Sequence, residues 1–235
     1  QPLPLRLFYL ANVFRYESPQ AGRLREFGQA GVELIGSSGP EADAELIALA
    51  VEALRTAGLQ EFQISLGEVQ VINGLMEETN LPESVIRSLK KALTQKDLVG
   101  LEDLLIEHQL PLQKREMVLG ISNFHGGLEV IQESRKLTSN QRTIQALDYL
   151  ERVWSSLIKL GVDSFVRLDL GVLRGFEYYT GIVFEGYSSD LGFPLCGGGR
   201  YDNLLSKFGY PCPATGFAVG IERLLLALDN QNKKQ

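Results

Sequence analysis

The chain opens with strand-forming sequence, switches to helical spacing for its middle, and returns to strand-forming sequence after about residue 165. Leu5 to Tyr16, rich in Leu, Phe, Tyr and Val, predicts a strand, and Phe27 to Ile35 a second one. The turn chemistry of Ser18-Pro19-Gln20-Ala21-Gly22 between them makes the pair a hairpin with a long tip. Glu41 to Ala57 predicts a helix: Leu46, Ile47, Leu49, Ala50, Ala53 and Leu54 keep helical spacing, acids crowd the first turn, and Gly58 ends it. Glu61 to Leu66 reads as a short strand. From Glu68 to about Leu160 the pattern is helical throughout, with breaks at Asn80-Leu81-Pro82, Leu110-Pro111 and His125-Gly126-Gly127. Strands are expected again at Phe165 to Leu170, Ile182 to Tyr187 and Phe193 to Cys196. A Gly197-Gly198-Gly199 run and a short helix from Asn203 to Phe208 follow. The last element starts as a strand at Thr215 and becomes a helix through Leu228.

Two β-rich parts around a helix-only stretch predict an α+β fold, a mainly antiparallel sheet flanked by helices. Its division is 1–67 for the first part of the core, 68–160 for a helical insertion, and 161–235 for the second part. At 235 residues, 44% hydrophobic and 22% charged, the composition is that of a globular protein with a real core. No apolar run approaches the roughly 18 residues of a membrane span. The net charge of −6 makes nucleic acid an unlikely partner in bulk electrostatic terms. Cys196 and Cys212 lack metal-ligand spacing, so no metal site is expected and a reduced cytoplasmic setting is. The absence of a starting methionine leads us to expect a segment upstream of Gln1.

Candidate chemistry concentrates in a few places. Between Leu173 and Glu185 an arginine (Arg174), an acid and the adjacent Tyr178 and Tyr179 sit in a bend punctuated by Gly175 and Gly181. Arginine takes a carboxylate through two parallel bonds and tyrosines wall a flat ring. The bend therefore suits a small zwitterion with a planar side chain, or is a hairpin with ordinary surface aromatics. On the second strand Gln29, Gly31 and Glu33 share one face. That face is either the floor of a small-molecule pocket or a solvated face with a glycine bulge. The three glycines at 197–199 lack both the strand–helix context of a dinucleotide site and the lysine of a P-loop. They instead allow close approach to a flat ligand or a neighbouring strand. Arg223, near the start of the last helix, could hold a phosphate or form a helix-face ion pair. The two histidines, His108 and His125, fall in the helical stretch outside every motif and read as structural, and Trp154 reads as core.

Taken together, these pieces resemble the catalytic core of histidyl-tRNA synthetase, a class II aminoacyl-tRNA synthetase fold. Phe14-Arg15-Tyr16-Glu17 through Gly31-Val32-Glu33 is similar to motif 2, and Leu173 to Glu185 to the histidine-binding element. Gly197 to Asp202 is similar to the Gly-Gly-Arg-Tyr-Asp loop, and Gly216 to Arg223 to motif 3. The resemblance implies contacts from Gln29 and Glu33 to an α-amino group, Arg174 beside a carboxylate, and Tyr178, Tyr179 and Tyr201 around an imidazole. It implies a vestigial phosphate- or ATP-binding site at Arg15, Glu17, Arg23, Arg25 and Arg223, with Arg15 and Arg223 at the phosphates.

Three departures point elsewhere. Phe27-Gly28-Gln29 stands where a synthetase has Phe-His-Gln, and only twelve residues follow Arg223. Ile64-Ser65-Leu66-Gly67, Asn73-Gly74-Leu75, Phe124-His125-Gly126-Gly127 and Leu168-Asp169-Leu170-Gly171 resemble the regulatory subunit of ATP phosphoribosyltransferase, a synthetase paralogue that does not charge tRNA. That resemblance implies a non-catalytic subunit with no cofactor of its own. It also implies a short-form catalytic subunit as partner, self-association through the synthetase-like core, and transmission of histidine feedback in histidine biosynthesis. The alternative is the catalytic core of a histidine–tRNA ligase, since Arg15, Gln29, Glu33, Arg174 and Arg223 are all present. A ligand-free scaffold would require the ordered polar positions to be incidental.

Overall fold

The computed structural model describes residues 2–16, 24–171 and 178–233. Its strands form one eight-stranded sheet in the order β1 (Leu5–Phe14), β2 (Glu26–Ile35), β8 (Ala214–Gly220), β7 (Cys196–Arg200), β6 (Ile182–Ser188), β3 (Phe62–Glu68), β5 (Val166–Asp169), β4 (His125–Gly126). β1 (Leu5–Phe14) and β2 (Glu26–Ile35) are the expected hairpin, with Leu5 opposite Ile35 and Phe14 opposite Glu26. β3 (Phe62–Glu68), β5 (Val166–Asp169) and β6 (Ile182–Ser188) fall close to their predicted positions. Every neighbouring pair is antiparallel except β3 with β5, so the sheet is mixed but mainly antiparallel, as expected.

Two strands depart from expectation. β7 is Cys196–Arg200, so the three glycines are not a loop but the middle of a strand between β6 and β8 (Ala214–Gly220). A Cβ on Gly198 would stand 2.3 Å from the Gly216 carbonyl oxygen and 2.5 Å from the Phe217 Cβ. Glycine is required there because the neighbouring strand lies against it. The stretch expected to be purely helical also contains β4 (His125–Gly126), a two-residue edge strand opposite Leu168 and Asp169. Its brevity leaves no alternation for the sequence to display.

Helix α1 (Pro40–Thr56) starts with proline in its first turn, acids at Glu41 and Asp43, and buries Leu46, Ile47, Ala50, Val51 and Leu54. The middle of the chain supplies α2 (Val69–Thr79), α3 (Glu83–Gln95), α4 (Leu98–Glu107), α5 (Leu112–Gly120), α6 (Glu129–Arg135) and α7 (Gln141–Leu160). Asn140 caps α7 by accepting from the Arg142 and Thr143 amides at 2.9 and 3.1 Å. Gly161, at φ +70°, ends it. Trp154 is buried as expected, in one contiguous core that joins Leu46 and Ile47 of α1, Leu66 and Phe184 of the sheet, and Leu89, Leu105 and Val118 of the middle helices. These helices therefore share the sheet's core. The chain closes with α8 (Ile221–Asn232), which follows β8 directly.

One polar cluster is set into this packing. Asp43 of α1 is fully buried and Arg200 of β7 nearly so. Arg200 donates from Nε and Nη2 to the two Asp43 oxygens at 3.0 and 2.8 Å, and Tyr149 of α7 donates to Asp43 at 2.7 Å. The pair ties sheet, α1 and α7 together by a two-pronged charged contact.

Candidate functional site

Side chains alternate faces along a strand. Leu34, Ile64, Leu66 and Phe184 therefore enter the core, while Gln29, Glu33 and Glu185 face the other side of the sheet. On that side lies a cavity of about 660 Å³ whose lining includes Tyr9, Gln29, Glu33, Tyr178, Tyr179 and Tyr201. Five of the residues expected at a histidine pocket thus meet in one place. Arg174, Glu17 and Arg23 lie outside the described residues.

Glu33 is the polar centre of this end of the cavity. Tyr201, which follows β7, donates its hydroxyl to Glu33 Oε2. The Tyr178 ring stacks on Tyr201 at 5.0 Å between centroids, and Tyr179 meets Tyr178 edge-on at 4.9 Å. Burial raises the Glu33 carboxyl above the ordinary glutamate range, and the Tyr201 hydrogen bond opposes that rise. Burial, with the Glu33 charge behind it, pushes Tyr178 up to about 12. Burial also raises Tyr179 and Tyr201. All three tyrosines are consequently neutral hydroxyls at pH 7, able to donate to or accept from a ligand. A carboxylate beside neutral hydroxyls and ring faces can hold an ammonium and enclose a flat heterocycle.

Glycines make the space. Gly216 pairs with Glu33 across β2 and β8, and a Cβ there would lie 1.9 Å from Glu33 Oε2. Gly216→Ala is accordingly expected to displace the carboxylate and to cost about 1–3 kcal/mol of stability through overpacking, read as a lowered urea midpoint. Gly199 serves Tyr179 in the same way, since its Cβ would fall 2.9 Å from the Tyr179 ring.

Gly31 leaves no open room between Gln29 and Glu33. The Tyr9 ring occupies it, 2.2 Å from where a Cβ would be. The Tyr9 hydroxyl accepts from Gln29 Nε2 at 2.9 Å, which aims the Gln29 carbonyl end away from Tyr9. The sequence reading assigned Tyr9 no role. The hairpin register, which puts Tyr9 opposite Gly31, is the signal that finds it.

The candidate phosphate residues divide. Arg15 lines the cavity, with its guanidinium over the Phe27 ring at 5.5 Å. Arg223 lines it too, donates to the Pro194 carbonyl at 2.8 Å and lies 5.2 Å from the Phe193 ring centroid. Arg25 packs against Tyr16 and is not among the lining residues. Two acids unassigned by sequence also line the cavity: Glu185, and Glu222, which accepts the Gly28 amide at 2.8 and 3.0 Å. A Cβ on Gly28 would meet Ile221 at 3.2 Å, so this position has little room for a histidine. Among the described residues no group of three or more His, Cys, Asp or Glu could hold a metal ion.

A mainly antiparallel sheet with its site on the open face, a hairpin leading in and a helix leaving the last strand, is the core of a class II aminoacyl-tRNA synthetase-like protein. Comparison with known proteins narrows the class. The family model described as histidyl-tRNA synthetase matches residues 1–224, and the chain belongs to that family. Within it, the chain is similar to proteins named ATP phosphoribosyltransferase regulatory subunit. That of Moorella thermoacetica is 53% identical over 225 residues, covering 96% of this chain and 58% of its own. A crystal structure described as an ATP phosphoribosyltransferase regulatory subunit/histidyl-tRNA synthetase from Bacillus halodurans has a TM-score of 0.91 at 39% identity, over 97% of this chain and 59% of that one. Histidyl-tRNA synthetase from Nostoc sp. shares the fold at a TM-score of 0.85 and 23% identity, over 99% of this chain and 56% of that one. The chain thus spans little more than half the length of the relatives it matches.

Proposed function

We propose that this chain is the synthetase-like core of a regulatory, non-catalytic subunit of ATP phosphoribosyltransferase. In this reading it binds free histidine, is required for the activity of a short-form catalytic subunit, and relays histidine feedback to it. The observation that carries the reading is the Glu33 carboxylate set among Tyr178, Tyr179, Tyr201 and Gln29 in one cavity. The ammonium goes to Glu33 and Gln29, the imidazole lies among the tyrosines, and Arg174 takes the carboxylate. Self-association through the core and a cytoplasmic setting belong to the same proposal. No helix among the described residues is long and apolar enough to cross a membrane.

Amino-acid activation would need cations aimed at the developing charge on a phosphate. The similarity to proteins named ATP phosphoribosyltransferase regulatory subunit, and the little room beside Gly28, support a non-catalytic role. Arg15 and Arg223 nevertheless line the same cavity as Glu33, and this favours histidine–tRNA ligase as the second reading. The two are separated by assaying the full parent protein. We expect no histidine-dependent ATP–pyrophosphate exchange, no charging of histidine tRNA, and retention of the short catalytic subunit in a pull-down. Robust exchange and charging would establish the ligase instead.

A further inference from the structure

The wall of the cavity that carries Tyr178 and Tyr179 is fastened at its far end. Thr180 donates its amide to the Arg200 carbonyl at 2.7 Å, and its hydroxyl accepts from the Asp202 amide at 2.9 Å. On the other side the Gly181 carbonyl accepts from the Val69 amide at 3.0 Å, and the Thr180 carbonyl accepts from Gln70 Nε2 at 2.7 Å. Val69 and Gln70 are the first two residues of α2. The cavity wall is therefore held between the end of β7 and the start of a helix from the middle of the chain.

The half-buried Gln70 amide is engaged at both ends. Its Oε1 accepts from Arg142 Nε of α7 at 2.7 Å and from Asn73 Nδ2 at 3.1 Å. Asn73 Oδ1 in turn accepts from Lys90 Nζ of α3 at 2.6 Å, and Arg142 continues to Glu77 of α2. The amide has one satisfactory orientation. Turned over, it would set oxygen against the Thr180 carbonyl and N–H groups against those of Arg142 and Asn73. A shift of the wall must stretch the Thr180 bond or carry Gln70 with it, and a moved Gln70 disturbs its partners on α2 and α7 together.

We propose that Gln70 is a positioning residue that couples occupancy of the tyrosine-walled cavity to helices α2, α3 and α7. The inference rests on the reading of the cavity as a histidine site and adds the route by which occupancy leaves it. A ligand biases a distant element only through the different free energies it has with that element's two arrangements. Gln70 supplies the contact in which those arrangements differ.

The test is amide hydrogen exchange on the full parent protein, with and without saturating histidine, for wild type, Gln70→Met and Arg142→Met. Methionine keeps the length of the glutamine and removes its donor and acceptor. In wild type, histidine should slow exchange by about fivefold or more in strands 182–188 and 214–219 and in helical residues 71–77 and 143–147, the lower range of site-to-site coupling. In Gln70→Met the strand protection should persist, with histidine affinity within about tenfold of wild type. The response of both helices should fall below about twofold, outside that coupling range. Arg142→Met should lose the α7 response and keep the strand protection. An unchanged helix response in Gln70→Met, or strand protection without helix response in wild type, overturns the coupling while leaving the cavity reading intact. Protection of neither strands nor helices in wild type overturns the cavity reading and the coupling with it.

Discussion

Asp43→Ala is expected to destabilise the protein by about 3–5 kcal/mol, the cost of leaving one member of a buried ion pair without its partner. For a chain of this size that lowers the thermal midpoint by roughly 6–20 °C. Arg200 would remain nearly buried with Nε and Nη2 no longer facing a carboxylate, and Tyr149 would lose its acceptor. Burial holds the Asp43 carboxyl above its ordinary value against the opposing pull of Arg200 and Tyr149. The pair is thus held in place by its partners rather than by solvent. Replacing both members by apolar residues, Asp43→Ala with Arg200→Met, should recover part of the loss, because no buried charge is left uncompensated: Asp202, which Arg200 Nη1 also meets at 3.1 Å, is half-exposed. Glu45→Ala provides the contrast. Its pair with Arg6 has side chains 45% and 60% exposed, and breaking it should cost no more than about 1 kcal/mol. Chemical denaturation of the four proteins gives the comparison directly.

Glu33→Gln is expected to separate stability from binding. A charged hydrogen bond lost from a closed site costs on the order of 1.5–3 kcal/mol, about ten- to a hundredfold in histidine affinity. The folded protein should not suffer in parallel. Because burial raises the Glu33 carboxyl, its contribution to stability is full below the unfolded glutamate range, near pH ~4, and is lost as pH rises through the folded value. As pH rises past that folded value the buried carboxylate becomes a cost that glutamine does not carry, while Tyr201 can still donate to the amide oxygen. The thermal midpoint of Glu33→Gln should equal or exceed that of wild type at pH 7, and the advantage should vanish in acid. A midpoint that falls together with affinity would make Glu33 a structural residue.

The elements and the pocket floor were legible because they rest on local periodicity. β2 shows Gln29 and Glu33 two residues to either side of Gly31, and α1 and α7 show their buried faces every third or fourth residue. What escaped depends on partners far along the chain. Arg200 belongs to a motif that reads as ligand-facing, yet its side chain turns inward to Asp43, 157 residues away, with no local signal for that choice. The resemblance placed the three glycines in a loop, and the residues left open whether a flat ligand or a neighbouring strand approaches them; the register of β7 between β6 and β8 shows that it is a strand. Tyr9 has no local signal, and only the hairpin register sets it over Gly31. Gln70 carries no motif, and its importance comes from joining Thr180, 110 residues away, to Arg142.

The most direct measurement of the central claim is a crystal structure of the parent protein grown with saturating histidine. The predicted result is histidine density in the cavity, its ammonium within hydrogen-bonding reach of Glu33 and Gln29 and its ring enclosed by Tyr178, Tyr179 and Tyr201. An unoccupied cavity at saturating histidine, or histidine bound at another place, would contradict it.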